Sequence, residues 1–272
     1  MATVATAALQ PLFEGYLETG DDAPIRRFLA RESCLPGPRA NLELARAFAE
    51  TAGAMAAVSA PPIWGLVQRL TALSSDEAPV NTPDEFLPFC GAWAAGEVGA
   101  VVTNLRESTF SLLHALAHDE RWRVREAVAN SLQSMLCRDP GPVLAVLETW
   151  IVPGDWLAMR AVAAGLADPD VVATPERAED ALEIHRRILA EVRANGQRRS
   201  TAYRALRQGL EYTLSVVVQA APDQGFGLLE ELAEWRDDDV TRIVRENLKK
   251  ARLRRRFPDR VAAVAGLLPR RL

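Results

Sequence analysis

Aromatic side chains are scarce in this chain, 6% of the residues, while alanine is abundant. A core built from such a sequence has to come from small and aliphatic groups packed at close range. Long β-branched runs with period-two alternation are missing too, since Val216-Val217-Val218 sits inside a longer helical pattern, so no sheet is expected. No stretch of 18 apolar residues is available to span a bilayer. The N-terminal segment lacks the basic region of a secretory signal and carries an acid by Glu14, which predicts a chain that is not exported and works in the cytoplasm. Cysteine is limited to Cys34, Cys90 and Cys137, an odd number, widely spaced and without a Cys-x-x-Cys pair; these read as reduced, packing thiols. The glycines form neither a Gly-x-Gly-x-x-Gly fingerprint nor a phosphate loop. Serine nucleophile elbows and clustered catalytic carboxylates are equally lacking. The expectation is a protein without cofactor, metal or catalytic function.

What is present is a repeated helical hairpin, clearest at residues 104–136. It reads as a helix, a tight acidic turn and a second helix. In the second helix Val124, Ala127, Val128, Ser131, Leu132, Met135 and Leu136 recur at the three-and-four spacing of one buried face, and Arg123, Arg125, Glu126, Asn130 and Gln133 are expected to face away. Asp119 or Glu120 is placed to cap that helix, where its dipole favours negative charge. The pattern Trp-x4-Ala-Val-Ala-x2-Leu occurs at Trp122 and again 34 residues later at Trp156. At an offset of 120, Asp239 and Val244-Arg245-Glu246 repeat Asp119 and Val124-Arg125-Glu126.

Along the chain, helices are predicted over 6–18, from Pro24 onward, over 41–58 and over 63–73. The stretch 74–82, SSDEAPVNT, reads as the most exposed loop and the best site for a proteolytic nick. Thr82-Pro83-Asp84-Glu85 predicts a capped helix start, with Pro88 and Gly91 making that helix irregular. After the central hairpin come helices with Val143, Val146, Leu147 and Trp150 inward, then 156–167 and 175–194. The next, with Tyr203, Leu206, Leu210, Leu214 and Val217 inward, is broken by Pro222 and Gly225. Asp237-Asp238-Asp239 caps one continuous basic helix running to Arg256, and Pro258 opens the last.

Paired helices with an acidic turn and an apolar-and-arginine second helix resemble HEAT repeats, and residues 104–257 carry most of that likeness. Tetratricopeptide repeats share the period of 34, but they want Trp, Leu-Gly and Tyr in the first helix, whereas here both tryptophans open the second. The HEAT resemblance implies a right-handed α-α solenoid, with hairpins at 1–80 continuing into HEAT-like repeats with basic C-terminal helices at 81–272 as one body. It further implies an extended interaction platform acting as a protein-binding scaffold. The alternative is a nucleic-acid-binding relative of the HEAT-like DNA alkylpurine glycosylases. For those, Trp93 followed by Glu97 is the nearest local match, with Arg125 or Arg160 as phosphate contacts, though the family's usual acid is aspartate.

Charge decides where a ligand would bind. Residues 1–120 carry 7 Lys and Arg against 15 acids, and residues 121–272 carry 25 against 21, so cations accumulate in the second part. They concentrate at Arg198, Arg199, Arg204 and Arg207 and at Arg245, Lys249, Lys250, Arg252, Arg254 and Arg255. These are the candidate ligand-binding residues, for an acidic protein or peptide or for phosphates. His114 and His118 stand four apart on a helix, a spacing that suits a metal, but Ala115 replaces the metalloprotease glutamate and no third ligand is evident. The tryptophans are read as wedges between hairpins.

Overall fold

The computed structural model describes residues 4–269, and every regular element among them is helical. They fall into two compact units, divided between Asp139 and Pro140. In the first, α1 (Val4–Thr19), α2 (Ala23–Arg31), α3 (Leu42–Val58) and α4 (Ala60–Thr71) lead through a loop and one 3-10 turn, Pro83–Glu85, into α5 (Phe86–Val101). Then come α6 (Arg106–Leu116) and α7 (Trp122–Arg138). The second unit holds α8 (Pro140–Thr149), α9 (Trp156–Leu166), α10 (Pro175–Ala194), α11 (Thr201–Ala220), α12 (Pro222–Glu234), α13 (Asp238–Leu248), α14 (Ala251–Arg254) and α15 (Pro258–Leu267). Helices pack mainly on their sequence neighbours and on the next helix but one: α3 on α5 and α5 on α7, then α9 on α11 and α11 on α13.

The caps explain several of these boundaries. The side chains of Asn41, Asp155, Thr174, Ser200 and Asp237 each accept from a first-turn N–H group, supplying partners that the helix itself cannot. Asp119 does something else. Its carboxylate accepts from the N–H of Arg121 and pairs with the same residue's guanidinium, so it does not cap α7 as the sequence suggested. Pro222 does break the chain, but it also opens α12, which continues through Gly225.

The axis of the first unit is α5, buried on nearly all sides. The irregularity expected from Pro88 and Gly91 is absent, because proline is tolerated in a first turn and the glycines serve packing instead. A Cβ on Gly96 would lie 2.5 Å from Cα of Ser131, and one on Gly91 would lie 2.8 Å from Cβ of Leu70. Backbone therefore meets backbone where α5 crosses α7, and the Ser131 hydroxyl donates to the carbonyl of Ala92. Val124, Val128 and Leu132 of α7 are fully buried there, as their spacing predicted.

In the second unit the basic run from α13 is not one helix. Lys250 is extended, and the chain restarts as α14 so that Leu253 is fully buried. Buried Asn247 braces the turn of α13 against α11: its amide donates to the carbonyls of Leu210 and Ile243 and accepts from the Ser215 N–H. His185 is likewise fully buried, between the carbonyl of Ala181 at 2.7 Å and Thr213 Oγ1 at 3.1 Å.

Two expectations follow. Gly96→Ala forces a methyl group into the Ser131 backbone and should lower unfolding free energy by about 3 kcal/mol in urea titrations, against a change under about 0.5 kcal/mol if the crossing can relax. Burial pushes the His185 pKa down to about 4, from 6.5. The unfolded chain thus takes up a proton that the folded chain refuses, so stability is full above about pH 6.5 and falls as pH drops toward 4. By pH 5 the loss attributable to this group should reach about 2 kcal/mol. His185→Gln, measured across the same pH range, should lack that increment of acid sensitivity; an unchanged pH profile would count against it.

Candidate binding surfaces

Of the ten basic residues singled out from the sequence, the second unit uses several to brace itself. Arg198 donates to both carboxylate oxygens of Asp237, at 2.9 and 2.8 Å, and to the backbone carbonyls of Asn195 and Arg193. Arg207 pairs with Asp239 at 3.0 Å, and the Tyr203 hydroxyl donates to the other oxygen of that carboxylate at 2.7 Å. Burial raises the Asp239 pKa, but Tyr203 and Arg207 outweigh it and hold the group below its ordinary value. Burial first, then the neighbouring carboxylate, pushes the Tyr203 phenol up. These two arginines tie the start of α11 to the start of α13.

The remaining cations divide again. Arg252 lies over the Tyr212 ring at 4.7 Å and donates to its hydroxyl at 2.6 Å, with Lys250 5.7 Å from the same ring. Lys249 pairs with Glu246, and Arg245 donates to the carbonyl of Pro269. Arg199, Arg204, Arg254 and Arg255 are exposed. A groove of about 530 Å³ lies between α13, α14 and α15. Leu248, Val261, Ala265, Leu268 and Pro269 supply apolar lining, and Arg245, Lys249 and Arg254 supply charge.

In the first unit the arginines beside the central turn behave differently from their sequence reading. Arg123 is 5% exposed rather than outward-facing. It pairs with fully buried Glu85 at 2.8 Å and donates to the carbonyl of Gly37 at 2.9 Å, while its guanidinium lies 4.5 Å from the centroid of Trp122. Arg121, 2% exposed, donates to the carbonyls of Leu73, Ser74 and Ala78 as well as to Asp119. The 74–82 loop is therefore fastened through its backbone although many of its side chains are exposed. The tryptophans divide too: Trp150 and Trp156 are buried, Trp156 edge-on to Tyr203 at 5.3 Å, but Trp122 is 46% exposed. Trp122, Arg123, Phe89, Leu42, Arg39 and Asn130 line a cleft of about 270 Å³, which sequence reasoning missed because its walls lie up to ninety residues apart.

Trp93 and Glu97 share a helix face, but Glu97 approaches Arg138 at 3.5 Å and its backbone and Cβ pack against Gly53. His118 Nδ1 lies 2.9 Å from the carbonyl of His114. No group of three or more metal-ligating side chains is present among the described residues. None of their helices is long and apolar enough to cross a membrane.

Removing the Arg121 side chain takes the guanidinium away from the Asp119 carboxylate and from three backbone carbonyls. Arg121→Met should cost about 3 kcal/mol and speed cleavage after Glu77 by a glutamate-specific protease, whereas wild-type resistance in that variant would show that the loop holds itself.

Compared with protein-family models, curated proteins and solved structures, the chain matches none of them.

Proposed function

We propose that this chain is a non-catalytic binding scaffold of HEAT-like hairpins whose C-terminal unit takes an acidic, amphipathic segment of a partner protein. The solenoid reading is supported by the packing of alternate helices within each unit, α3 to α5 to α7 and α9 to α11 to α13. The observation that carries the functional reading is the groove beside α14. Its apolar floor suits the buried side of a partner helix, and its rim of Arg245, Lys249 and Arg254 suits acids on that helix's flanks. Arg198 and Arg207 are excluded from the ligand surface, because removing either would first release a partly buried carboxylate inside the fold.

Nucleic acid is the second reading, favoured by Arg254, Arg255 and Arg256, three consecutive exposed arginines with no intervening acid. A base-excision enzyme is not part of it. Glu97, the nearest candidate for the reacting acid, is mostly buried beside Arg138 and Gly53.

Lys249→Gln, Arg254→Gln and Arg255→Gln combined should leave the melting temperature nearly unchanged, since exposed substitutions shift stability by about 0.5 kcal/mol or less each. Affinity for a synthetic helical peptide with leucines on one face and glutamates beside them should fall about tenfold by fluorescence anisotropy. Undiminished peptide affinity would remove the groove from the account. Preferential loss of duplex DNA binding, with the salt slope reduced by about 0.9 for each contact removed, would favour the second reading.

A further inference from the structure

The loop between α10 and α11 carries the one Asn-Gly pair in the chain, Asn195-Gly196. Asparagine before glycine has a reaction of its own: the following peptide nitrogen can attack the side-chain amide carbon, and glycine, lacking Cβ, neither shields that nitrogen nor restricts its approach. The pair lies in a stretch without regular structure, 195–199, and a Cβ placed on Gly196 would meet nothing within 4 Å. No neighbour blocks it sterically; hydrogen bonds hold it instead. The Arg198 Nε–H donates to the Asn195 carbonyl at 2.8 Å, while the same guanidinium holds the Arg193 carbonyl and both carboxylate oxygens of Asp237. The Asn195 side chain is fixed as well, its Oδ1 accepting from the Gln197 N–H at 2.9 Å. In that arrangement Asn195 is extended, with ψ at 124°. Ring closure requires the Gly196 nitrogen to eclipse Cβ, and from this extended ψ that is a swing of about a third of a turn about the Cα–C bond. The carbonyl oxygen swings with the nitrogen, so the Arg198 bond has to open first.

We propose that Asn195 deamidates in the folded chain and that Arg198 sets the rate by clamping its carbonyl. In the opened arrangement the Gly196 nitrogen, its proton passed to hydroxide, bonds to Asn195 Cγ; the Cγ–Nδ2 bond breaks and that nitrogen leaves as ammonia with a proton from water. Water then adds to either carbonyl of the five-membered imide and breaks its bond to nitrogen. The product is aspartate, or the isoaspartyl isomer whose backbone runs through the side-chain carbon. Either one places a carboxylate at the C-terminal end of α10, where the helix dipole disfavours it, on the residue whose carbonyl Arg198 holds. Arg198 is a restraining residue here and takes no part in bond making. None of these residues lines the groove beside α14, so peptide binding there and deamidation here fail or hold separately.

The test follows product at residue 195 by peptide-mapping mass spectrometry, with aspartyl and isoaspartyl forms separated by chromatography. The full chain is held in mildly alkaline buffer below its melting temperature and digested at acidic pH, which forms no new product. Wild type should react about tenfold more slowly than a synthetic peptide of residues 190–200, the factor set by opening one charge-assisted hydrogen bond. Arg198→Gln should raise the rate to near that of the peptide. Arg207→Gln, which weakens the tie of α11 to α13 without touching Asn195, should leave the rate at the wild-type value. Gly196→Ala should slow the reaction in chain and peptide alike. Circular dichroism at the incubation temperature checks that each variant is folded. A wild-type chain that reacts as fast as the peptide, or that forms no product at residue 195 over many half-lives of the peptide, would overturn the proposal. So would an Arg198→Gln rate equal to wild type, or an Arg207→Gln rate raised as far as that of Arg198→Gln.

Discussion

A guanidinium taken out of water must be given acceptors, and that requirement shapes both units of this protein. In the first unit Arg121 and Arg123, at the start of α7, collect carbonyls from segments 37 and 73–78 and the carboxylates of Asp119 and Glu85. Loops that would otherwise lie free over the helices are drawn onto the hairpin. In the second unit Arg198 and Arg207 collect Asp237 and Asp239, so that the same acids that open α13 also fasten it to α11. The cost of burying these charges is offset only because each has several partners. It follows that arginine content alone misstates how much positive charge is left for a ligand.

Close helix approach supplies the complementary constraint. Large aromatics are few, so contact area comes from bringing backbones together at Gly91, Gly96 and Gly225, where a Cβ would meet the neighbouring helix at under 3 Å. Sites of that kind tolerate no added volume, so an added methyl group there must displace backbone or side chains of the facing helix.

Much of the fold was legible because helix signals are local. The three-and-four spacing of Val124, Val128 and Leu132, and the acids before α13, depend on residues within one or two turns. What could not be read was the fate of individual charges. Arg123 looks like a surface residue in its own helix, and its burial depends on Glu85, 38 residues earlier, and on Gly37, 86 residues earlier. The break at Lys250 was hidden for a similar reason: the run from Lys249 to Arg256 has good helix formers throughout, but burial of Leu253 against α11 overrides them. The ten candidate cations therefore could not be told apart from the sequence, since nothing in the run itself separates bracing cations from exposed ones.

That separation is the central claim, and thermal melting of single arginine variants tests it most directly. Arg123→Gln, Arg198→Gln and Arg207→Gln should each lower the melting temperature by several degrees, since each removes the cation paired with a buried or partly buried carboxylate. Arg204→Gln, Arg254→Gln and Arg255→Gln should each leave it within about one degree of wild type. Equal shifts in the two groups would contradict the division of the arginines into those that hold the fold and those that face a ligand.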